Sequence, residues 1–353
     1  MRIPSLDGLR ALSIILVLFG HLNGTRGFGT HLTFMGDVAH LGVRVFFVIS
    51  GFLITSLLMK EEKVALGQFY WRRFYRIFPP FYFYLAVVWV LSFAGVLARV
   101  PLVDVLAAAT YTTNYQMERS WLTGHTWSLS VEEQFYLLWP GLIALVGHAR
   151  AFKTAAAVVL LVPFIRVGWN QVFPELRPLI GEAFPTVADS IATGCLLAGF
   201  RKQLHDDARY QAALKSSWLV PALVGALLLV NTQGEHARPF WLVGETILNV
   251  GLAFLIDRAV TRPDTAFGRI LNFGPLARLG VASYSVYLWQ QVFLDRSGGS
   301  IINAFPLNIV LAIVAGFASY HLVEQPIMKY RDKLIPGRVR AQGVHNRQQA
   351  TNN

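Results

Sequence analysis

The chain has 353 residues, of which 54% are hydrophobic and only 14% are charged. Soluble domains carry about 25% charged residues, so this composition excludes a soluble protein and predicts an all-α, polytopic integral membrane protein. The single cysteine, Cys195, excludes an internal disulfide and a cysteine-based metal site, and the nine histidines include no pair at metal-ligand spacing, so we expect no metal.

Apolar segments recur along the chain and predict about ten transmembrane helices. The predicted spans cover residues 9–27, 38–58, 77–97, 127–147, 154–172, 186–200, 217–231, 241–257, 275–294 and 304–323, and the segment 103–115 is a candidate half-span or interfacial helix. With the N-terminus placed inside, most of the 31 Lys and Arg residues fall in cytoplasmic segments. We therefore expect a multi-pass plasma-membrane protein with both termini in the cytoplasm. We interpret its net charge of +11 as orienting the protein against anionic lipids rather than binding nucleic acid.

The first span carries an arginine and a histidine on one helical face. Arg10 closes the sequence Asp7-Gly8-Leu9-Arg10, and His21 follows in the same apolar run. At about 100° and about 1.5 Å per residue, the two side chains share a face and lie about 16 Å apart along the axis. Ionisable groups in a lipid-embedded helix are costly, so we predict a functional site here. The alternative is a signal peptide, but no small-x-small cleavage site stands out.

Four more arginines lie in the second span or just before the third. Arg44 stands several residues into an apolar run, where it either supports the site or snorkels to the outer interface. Ser50-Gly51 in the same span would let another helix approach closely. Arg72, Arg73 and Arg76 cluster before Pro79-Pro80, which we place in the first turn of the third span. Such a cluster suits phosphate groups, and the alternative is ordinary anchoring at the cytoplasmic interface.

Two adjacent carboxylates mark the fourth span. Glu132 shares a helical stripe with Ser128, Phe135 and Trp139, whereas Glu133 points about 100° away. A buried carboxylate must be paired or protonated, so we expect Glu132 to face inward, with His21, Arg10 and Arg44 as its available partners. A carboxylate beside a histidine in a dry site is the equipment of a general base that deprotonates a hydroxyl. The alternative is a structural salt bridge between spans.

The chain shows no internal repeat and no long hydrophilic insertion. We therefore expect one membrane-embedded domain over residues 1–327. The remaining residues, 328–353, are polar and basic, and we predict a disordered cytoplasmic tail there.

Six motifs, in order along nearly the whole chain, carry a family resemblance. They are Asp7-Gly8-Leu9-Arg10 with His21, Gly42 to Phe52, Arg73-Phe74-Tyr75-Arg76-Ile77-Phe78-Pro79, Trp127 to Tyr136, Ser283 to Trp289, and Val323-Glu324-Gln325-Pro326. The sequence resembles the acyltransferase family 3 membrane proteins, bacterial O-acetylases of surface polysaccharides, lipopolysaccharide and some small molecules.

The resemblance implies a cytoplasmic acyl-CoA donor, often acetyl-CoA, and an acceptor hydroxyl on a saccharide or glycolipid at the outer leaflet. It implies that His21 is the essential histidine and Arg10 its motif partner, and it makes Arg44, Arg73, Arg76 and Glu132 motif positions. The chain departs from the family at Gln290, where many members have a histidine. An extracytoplasmic esterase-like domain, which some members carry, is not expected here.

These observations predict a membrane O-acyltransferase with His21, Glu132 and Glu133 as catalytic residues. We expect Arg10, Arg72, Arg73 and Arg76 to bind acyl-CoA, and Asp7, Arg44 and Ser128 to support the site. The acceptor-binding residues stay open, with Gln290 and His125 as candidates, and so do the acyl group and the oligomeric state.

Two other functions remain open. A proton-coupled transporter or flippase of a lipid-linked saccharide would also use intramembrane His and Glu. The arginine cluster favours a nucleotide-bearing donor, and the absence of repeats argues against a transporter. A glycosyltransferase is a weaker alternative, because it would need carboxylates in a large outer loop.

Overall fold

Nearly every residue that the structure describes lies in a helix. The computed structural model describes residues 3–29, 37–60, 65–232 and 238–335. Fourteen α-helices are found in these ranges: α1 (Pro4–Leu22), α2 (Val38–Leu58), α3 (Leu66–Phe93), α4 (Leu102–Ala109), α5 (Trp121–Gly124), α6 (Thr126–Val172), α7 (Phe184–Asp206), α8 (Ala208–Lys215), α9 (Leu219–Thr232), α10 (Arg238–Thr261), α11 (Ala266–Leu271), α12 (Gly274–Phe293), α13 (Leu307–Ser319) and α14 (Gln325–Leu334). The described part of the chain contains no named strand, which confirms the predicted all-α class.

Several of these helices are suited to a membrane. Six stretches of the described chain are long and apolar enough to cross one, and α8 and α9, which meet at 87°, would make a seventh if they form one bent span. Large apolar side chains such as Phe93, Leu145 and Phe164 are exposed on the outer faces, as expected against lipid. The chain is therefore a polytopic membrane protein, whereas the predicted number of ten spans is not confirmed. The predicted spans 241–257 and 275–294 correspond to α10 and α12, which are not among these six stretches. Both helices carry several polar residues.

The predicted fourth and fifth spans form one interrupted helix, α6. Its backbone leaves helical geometry at Gly147, where φ is +78° and ψ is 164°. An L side chain rarely adopts this φ, so glycine is the residue that allows the break. The sequence placed the end of the fourth span at this residue.

Helix α3 begins earlier than predicted. It starts at Leu66, so Pro79 and Pro80 lie inside the helix, and our placement of them in its first turn was wrong. Proline is tolerated inside a membrane helix because neighbouring groups satisfy the freed backbone carbonyls. The early start places Arg73 and Arg76 on a rigid helix rather than on a loop.

Helices α2 and α7 cross at very short distance. A Cβ atom added to Gly51 would lie 2.0 Å from the carbonyl oxygen of Ile191, and one added to Gly194 would lie 2.1 Å from that of Val48. Only glycine fits at both positions, because the opposing atoms belong to the backbone. The predicted close approach of a helix at Gly51 is thus confirmed, and the partner is α7.

The C-terminal end of the described chain is helical. A π-helical turn, Tyr320–Glu324, joins α13 to α14, and α14 continues to Leu334. The helix therefore extends beyond residue 327, where we placed the end of the membrane domain. The rest of the predicted tail, from residue 336, lies outside the described residues.

Candidate active site

Two cavities lie at the two ends of α1. The first, the arginine cavity, has a volume of about 90 Å³. Its polar lining consists of Arg10, Ser50, Arg73, Arg76, Ser128, Glu132, Glu133, Tyr136, Ser283, Tyr284 and Tyr287. The second, the histidine cavity, has a volume of about 610 Å³. Its polar and aromatic lining includes His21, Asp37, His40, Arg119, Trp121, His125, Trp127, Glu182, Tyr287, Gln291 and Arg296.

The arginine cavity gathers cations from α1 and α3 beside the carboxylates of α6. Arg10 pairs with Asp7 at 3.7 Å, and the expected role of Asp7 in supporting the site stays a prediction. The Nε atom of Arg73 lies 3.7 Å from Glu133, and its guanidinium lies over the ring of Tyr136, 3.1 Å from the centroid. The structure therefore brings together residues that the sequence assigned separately to donor binding and to catalysis.

The guanidinium donors of Arg76 are not used by any described residue. Arg76 lines the arginine cavity, and in the described ranges it forms no hydrogen bond and no ion pair, although Glu132 and Glu324 lie within electrostatic range. Arg72 is placed differently. It does not line the cavity and instead donates from Nη2 to the carbonyl oxygen of Ile335, 3.1 Å away. Of the three clustered arginines, only Arg73 and Arg76 face the cavity.

Glu132 does not contact His21. It accepts a hydrogen bond from the Ser50 hydroxyl at 2.6 Å, and it lies at the level of Arg10. The helical stripe predicted which face of α6 carries Glu132, but not how far along the bundle axis Glu132 lies relative to His21 on α1. Because the chain enters α6 beside the histidine cavity at His125, Glu132 lies about two turns further, toward the arginine cavity. The expected His21–Glu132 pair is absent from this structure.

His21 pairs instead with a glutamine of α12. Its Nδ1 atom lies 2.9 Å from Oε1 of Gln290, and its ring meets Trp121 edge to face, with 5.4 Å between centroids. Gln290, which we listed as a candidate for acceptor binding, is fully buried. The histidine therefore has one ring nitrogen held by the protein while the residue lines an open cavity.

His125 lies in the wall of the histidine cavity. It is 3% exposed, and neither ring nitrogen has a hydrogen-bond partner among the described residues. Oε1 of the neighbouring Gln291 is also buried without a partner. Gln291 and the backbone of Leu288 nevertheless act on the imidazole as neighbours with hydrogen-bonding groups, so His125 is part of the packed wall of this cavity.

The two cavities share part of their walls. Val43 and Tyr287 line both of them. The Tyr287 hydroxyl donates to the carbonyl oxygen of His125 at 2.8 Å and lies 2.6 Å from the hydroxyl of Ser128. Ser128 thus contacts a side chain that lines both cavities, and its expected role in supporting the site stays a prediction.

Arg44 belongs to neither cavity. It forms an ion pair with Glu245 of α10, and Arg166 pairs with Asp189 at 2.5 Å beside it. All four charged side chains are buried, and Asn249 and Thr246 also donate to Asp189. Arg44 therefore neither snorkels nor pairs with Glu132. It joins α2 to α10 in a network that also includes α6 and α7.

One buried carboxylate in the quoted motifs received no role from the sequence. Glu324, in the π-helical turn, is 2% exposed, accepts from Ser285 at 2.7 Å and lies within electrostatic range of Arg76 and Arg10. Its signal is a single carboxylate at the end of an apolar span, preceding a proline. Metal ligation has no support in the described ranges, because no three His, Cys, Asp or Glu side chains there could hold an ion.

Comparison with known proteins assigns the chain to a family. A family model described as an acyltransferase domain matches residues 3–320. The chain is 29% identical over 360 residues to O-acetyltransferase OatA of Staphylococcus aureus, an alignment that covers 93% of this chain and 57% of that protein. It is 26% identical over 362 residues to peptidoglycan O-acetyltransferase OatA of Listeria monocytogenes, with 93% and 56% covered. No solved structure matches.

The chain thus spans little more than half the length of these relatives. The family model, in contrast, covers nearly all of the chain, including both cavities and α1 with its Arg10 and His21. The chain belongs to the acyltransferase family 3 membrane proteins.

Proposed function

We propose that this protein is a membrane O-acetyltransferase that moves an acetyl group from cytoplasmic acetyl-CoA to a hydroxyl of a saccharide at the extracytoplasmic face. One observation carries the proposal: a cation-lined cavity and a histidine-lined cavity lie at opposite ends of α1 and share Val43 and Tyr287 as walls. Such an arrangement suits a donor that enters from one side of the membrane and an acceptor that enters from the other.

The arginine cavity is the donor site in this proposal. The excess of Lys and Arg in the segments predicted to be cytoplasmic supports a cytoplasmic position for this end of α1, on the side where acyl-CoA is found. Arg73 and Arg76 would bind phosphate oxygens of coenzyme A, and Arg10 would lie beside the start of its extended arm. The distance of about 16 Å between the levels of Arg10 and His21 is of the order of an extended pantetheine arm.

His21 is the proposed general base. Its free ring nitrogen takes the proton of the acceptor hydroxyl while the oxygen attacks the thioester carbonyl carbon. A carbon–oxygen bond forms, the carbon–sulfur bond breaks, and the thiolate of coenzyme A receives the proton from the imidazolium. The step needs no further reactant, because the proton removed from the acceptor hydroxyl ends on the departing thiolate.

The histidine cavity is the proposed acceptor site. Trp121 and Trp127 offer apolar ring faces to a sugar, and Arg119, ion-paired with Glu182, offers polar contacts at the rim. The relatives' names point to peptidoglycan as the class of acceptor, more narrowly than the surface saccharides and lipopolysaccharide that the sequence suggested. Family membership disfavours the transporter alternative.

Acetylation of the cell surface tests the proposal. Surface glycans from cells with and without the gene are compared by mass spectrometry and NMR, and O-acetyl groups should be lost without it. Unchanged acetylation of every glycan fraction would contradict an acetyltransferase acting at this surface.

His21→Ala should abolish acetyl transfer while the protein remains in the membrane at normal level. Loss of a positioned general base typically lowers the rate by about 10²–10⁴-fold. The measurement is transfer of labelled acetyl groups from acetyl-CoA to a muropeptide or chitooligosaccharide acceptor by purified protein in nanodiscs. His148→Ala is a control, because that histidine lies outside both cavities. Near-normal transfer by His21→Ala would sink the assignment of the base.

A further inference from the structure

The contact between His21 and Gln290 bears on which ring nitrogen of the histidine carries its proton. Nδ1 of His21 and Oε1 of Gln290 are 2.9 Å apart, and this is the hydrogen bond that the structure describes for the His21 ring. Gln290 is fully buried in α12, which packs along α1, so water does not compete for the contact.

A side-chain amide oxygen can only accept a hydrogen bond. Nδ1 of His21 therefore carries the proton, and the lone pair of the neutral ring is on Nε2. We propose that Gln290 is a positioning residue for His21, which holds the Nδ1–H tautomer so that Nε2 serves as the base. The inference rests on the proposed function for its consequence in catalysis, but the tautomer itself can be measured without any reaction.

The amide could in principle be turned so that its NH₂ group meets Nδ1. Either orientation leaves one amide atom of Gln290 without a partner. In the orientation that the structure shows, this atom is Nε2 of Gln290, which has no hydrogen-bond partner among the described residues. The reaction decides between them. Once His21 has taken a proton, both ring nitrogens are donors, and only an oxygen can accept from Nδ1–H. The orientation with Oε1 toward the ring is compatible with both states of the base.

The charged and titratable neighbours do not replace Gln290. Asp37, which precedes α2, and Arg296, which follows α12, act on His21 through space with opposite signs. The other titratable groups that line the cavity are His40, His125, Arg119, Glu182 and Tyr287. Within the described ranges none of them is hydrogen-bonded to His21. A glutamine also keeps its acceptor oxygen at every pH, because it does not titrate.

Two substitutions of similar size distinguish the effect of the acceptor oxygen of Gln290 from the effect of its side-chain volume. Gln290→Met keeps the length of the side chain but removes the strong acceptor, and kcat should fall about 10–100-fold, the range found when a partner that orients a metal-bound histidine is lost. KM for acetyl-CoA and for the acceptor should stay within about twofold. Gln290→Glu keeps an oxygen at Nδ1, so most of kcat should remain at high pH. Its carboxylate stabilises the imidazolium, so the acidic limb of the pH–kcat profile should move up by about 1–3 pH units.

The same substitution in the His21→Ala background is the matched control. Because the two residues act as a unit, Gln290→Met should lower the residual rate no further there. An equal additional loss in that background, a rise in acceptor KM instead of a fall in kcat, or an unshifted profile in Gln290→Glu would overturn the proposal. The last two would indicate acceptor binding or a structural role.

The tautomer is read directly by ¹⁵N NMR of histidine-labelled protein in nanodiscs, with the His21 signals identified by their loss in His21→Ala. We expect a protonated Nδ1 and an unprotonated Nε2 in neutral His21, and mixed signals in Gln290→Met. A protonated Nε2 in the unaltered protein would refute the inference even if acetyl transfer is confirmed. The expected tautomer without any transfer would instead sink the proposed function.

Discussion

At the scale of single residues, the arginines at the start of α3 show how differently neighbouring cations can be used. Arg72 is engaged by the backbone of Ile335, Arg73 by Glu133 and Tyr136, and Arg76 by no hydrogen bond or ion pair in the described ranges. A ligand phosphate gains most from a cation whose donors are not already satisfied, because no existing contact must be broken. Arg76 is therefore the arginine that a bound donor would need most.

Arg76→Ala should raise the apparent KM for acetyl-CoA by about tenfold or more, since a hydrogen bond to a charged group contributes about 1.5–3 kcal/mol. The acceptor KM should change little. Arg72→Ala is the matched control and should leave the donor KM nearly unchanged. Steady-state kinetics at two salt concentrations would check both, because the unaltered protein should lose donor affinity as salt rises. Equal effects of the two substitutions would argue for general surface charge rather than a phosphate site.

The residues of the candidate site could be predicted better than their contacts. The sequence singled out Arg10, His21 and Glu132 because each is an ionisable residue in an apolar segment. Arg10 and Glu132 line the arginine cavity, and His21 lines the histidine cavity. The partner of His21 could not be predicted, because a helical stripe defines a direction and not a height in the bundle. Gln290 is neutral and gave no electrostatic signal of its own. Whether Glu132 or Glu133 matters more for turnover stays a prediction.

At the scale of helices, the crossing of α2 and α7 depends on two glycines, which have no side chain. Gly51 and Gly194 each face a backbone carbonyl of the opposite helix at a distance that leaves no room for a Cβ atom. Close packing of this kind is a main source of helix association in lipid, where the hydrophobic effect does not act between helices. Helix α2 also forms part of both cavities, since Val43 lines each of them and Ser50 lines the arginine cavity.

Gly194→Ala should lower the thermal stability of the protein in detergent, because overpacking of a tight interface costs about 1–3 kcal/mol. Gly225→Ala in α9 is the control, since nothing lies within 4 Å of a Cβ atom added there. That substitution should be neutral or stabilising by about 0.5–1 kcal/mol. Thermal unfolding followed by size-exclusion chromatography measures both. If Gly194→Ala is as stable as Gly225→Ala, the crossing tolerates a wider separation than the structure shows.

Hydrophobic periodicity located the helices but not all of their ends. The end of the fourth predicted span at residue 147 coincides with the break at Gly147, and the small-residue contact at Gly51 is predicted from Ser50-Gly51. The start of α3 could not be predicted, since its first turns are rich in charged and aromatic residues that resemble a loop at an interface. The predicted span 217–231 begins near the bend between α8 and α9, but hydrophobicity does not give the angle of 87°.

At the scale of the whole molecule, a buried charge network joins four helices. Arg44 of α2, Arg166 of α6, Asp189 of α7 and Glu245 of α10 balance one another in charge, and all are buried. Removing one member leaves an opposite charge in a medium that cannot solvate it, whereas removing a pair does not. The resemblance made Arg44 a motif position, and its surroundings indicate a structural reason for that.

Arg44→Met should destabilise the protein by about 3–5 kcal/mol, because Glu245 is left without its partner. The double variant Arg44→Met/Glu245→Met should regain most of the folded protein, since Arg166 and Asp189 still balance. Yield of monodisperse protein and thermal unfolding are the measurements, with donor KM determined on the folded fraction. A well-folded Arg44→Met with weakened donor binding would place Arg44 in the donor site instead.

Tyr287 lines both the arginine cavity and the histidine cavity, which the proposed function assigns to opposite sides of the membrane. Its hydroxyl, tied to Ser128 and to the carbonyl of His125, fills the gap between a chamber lined with arginines and one lined with histidines. A membrane that stores energy as a proton gradient loses it through any water-filled path that is open at both ends. If the two cavities open to opposite sides, as the proposed function requires, a small residue at position 287 should create an ion leak whose toxicity is independent of any acetylated product. In that proposal, the side chain that an acyl group must pass would also keep the membrane insulating between turnovers.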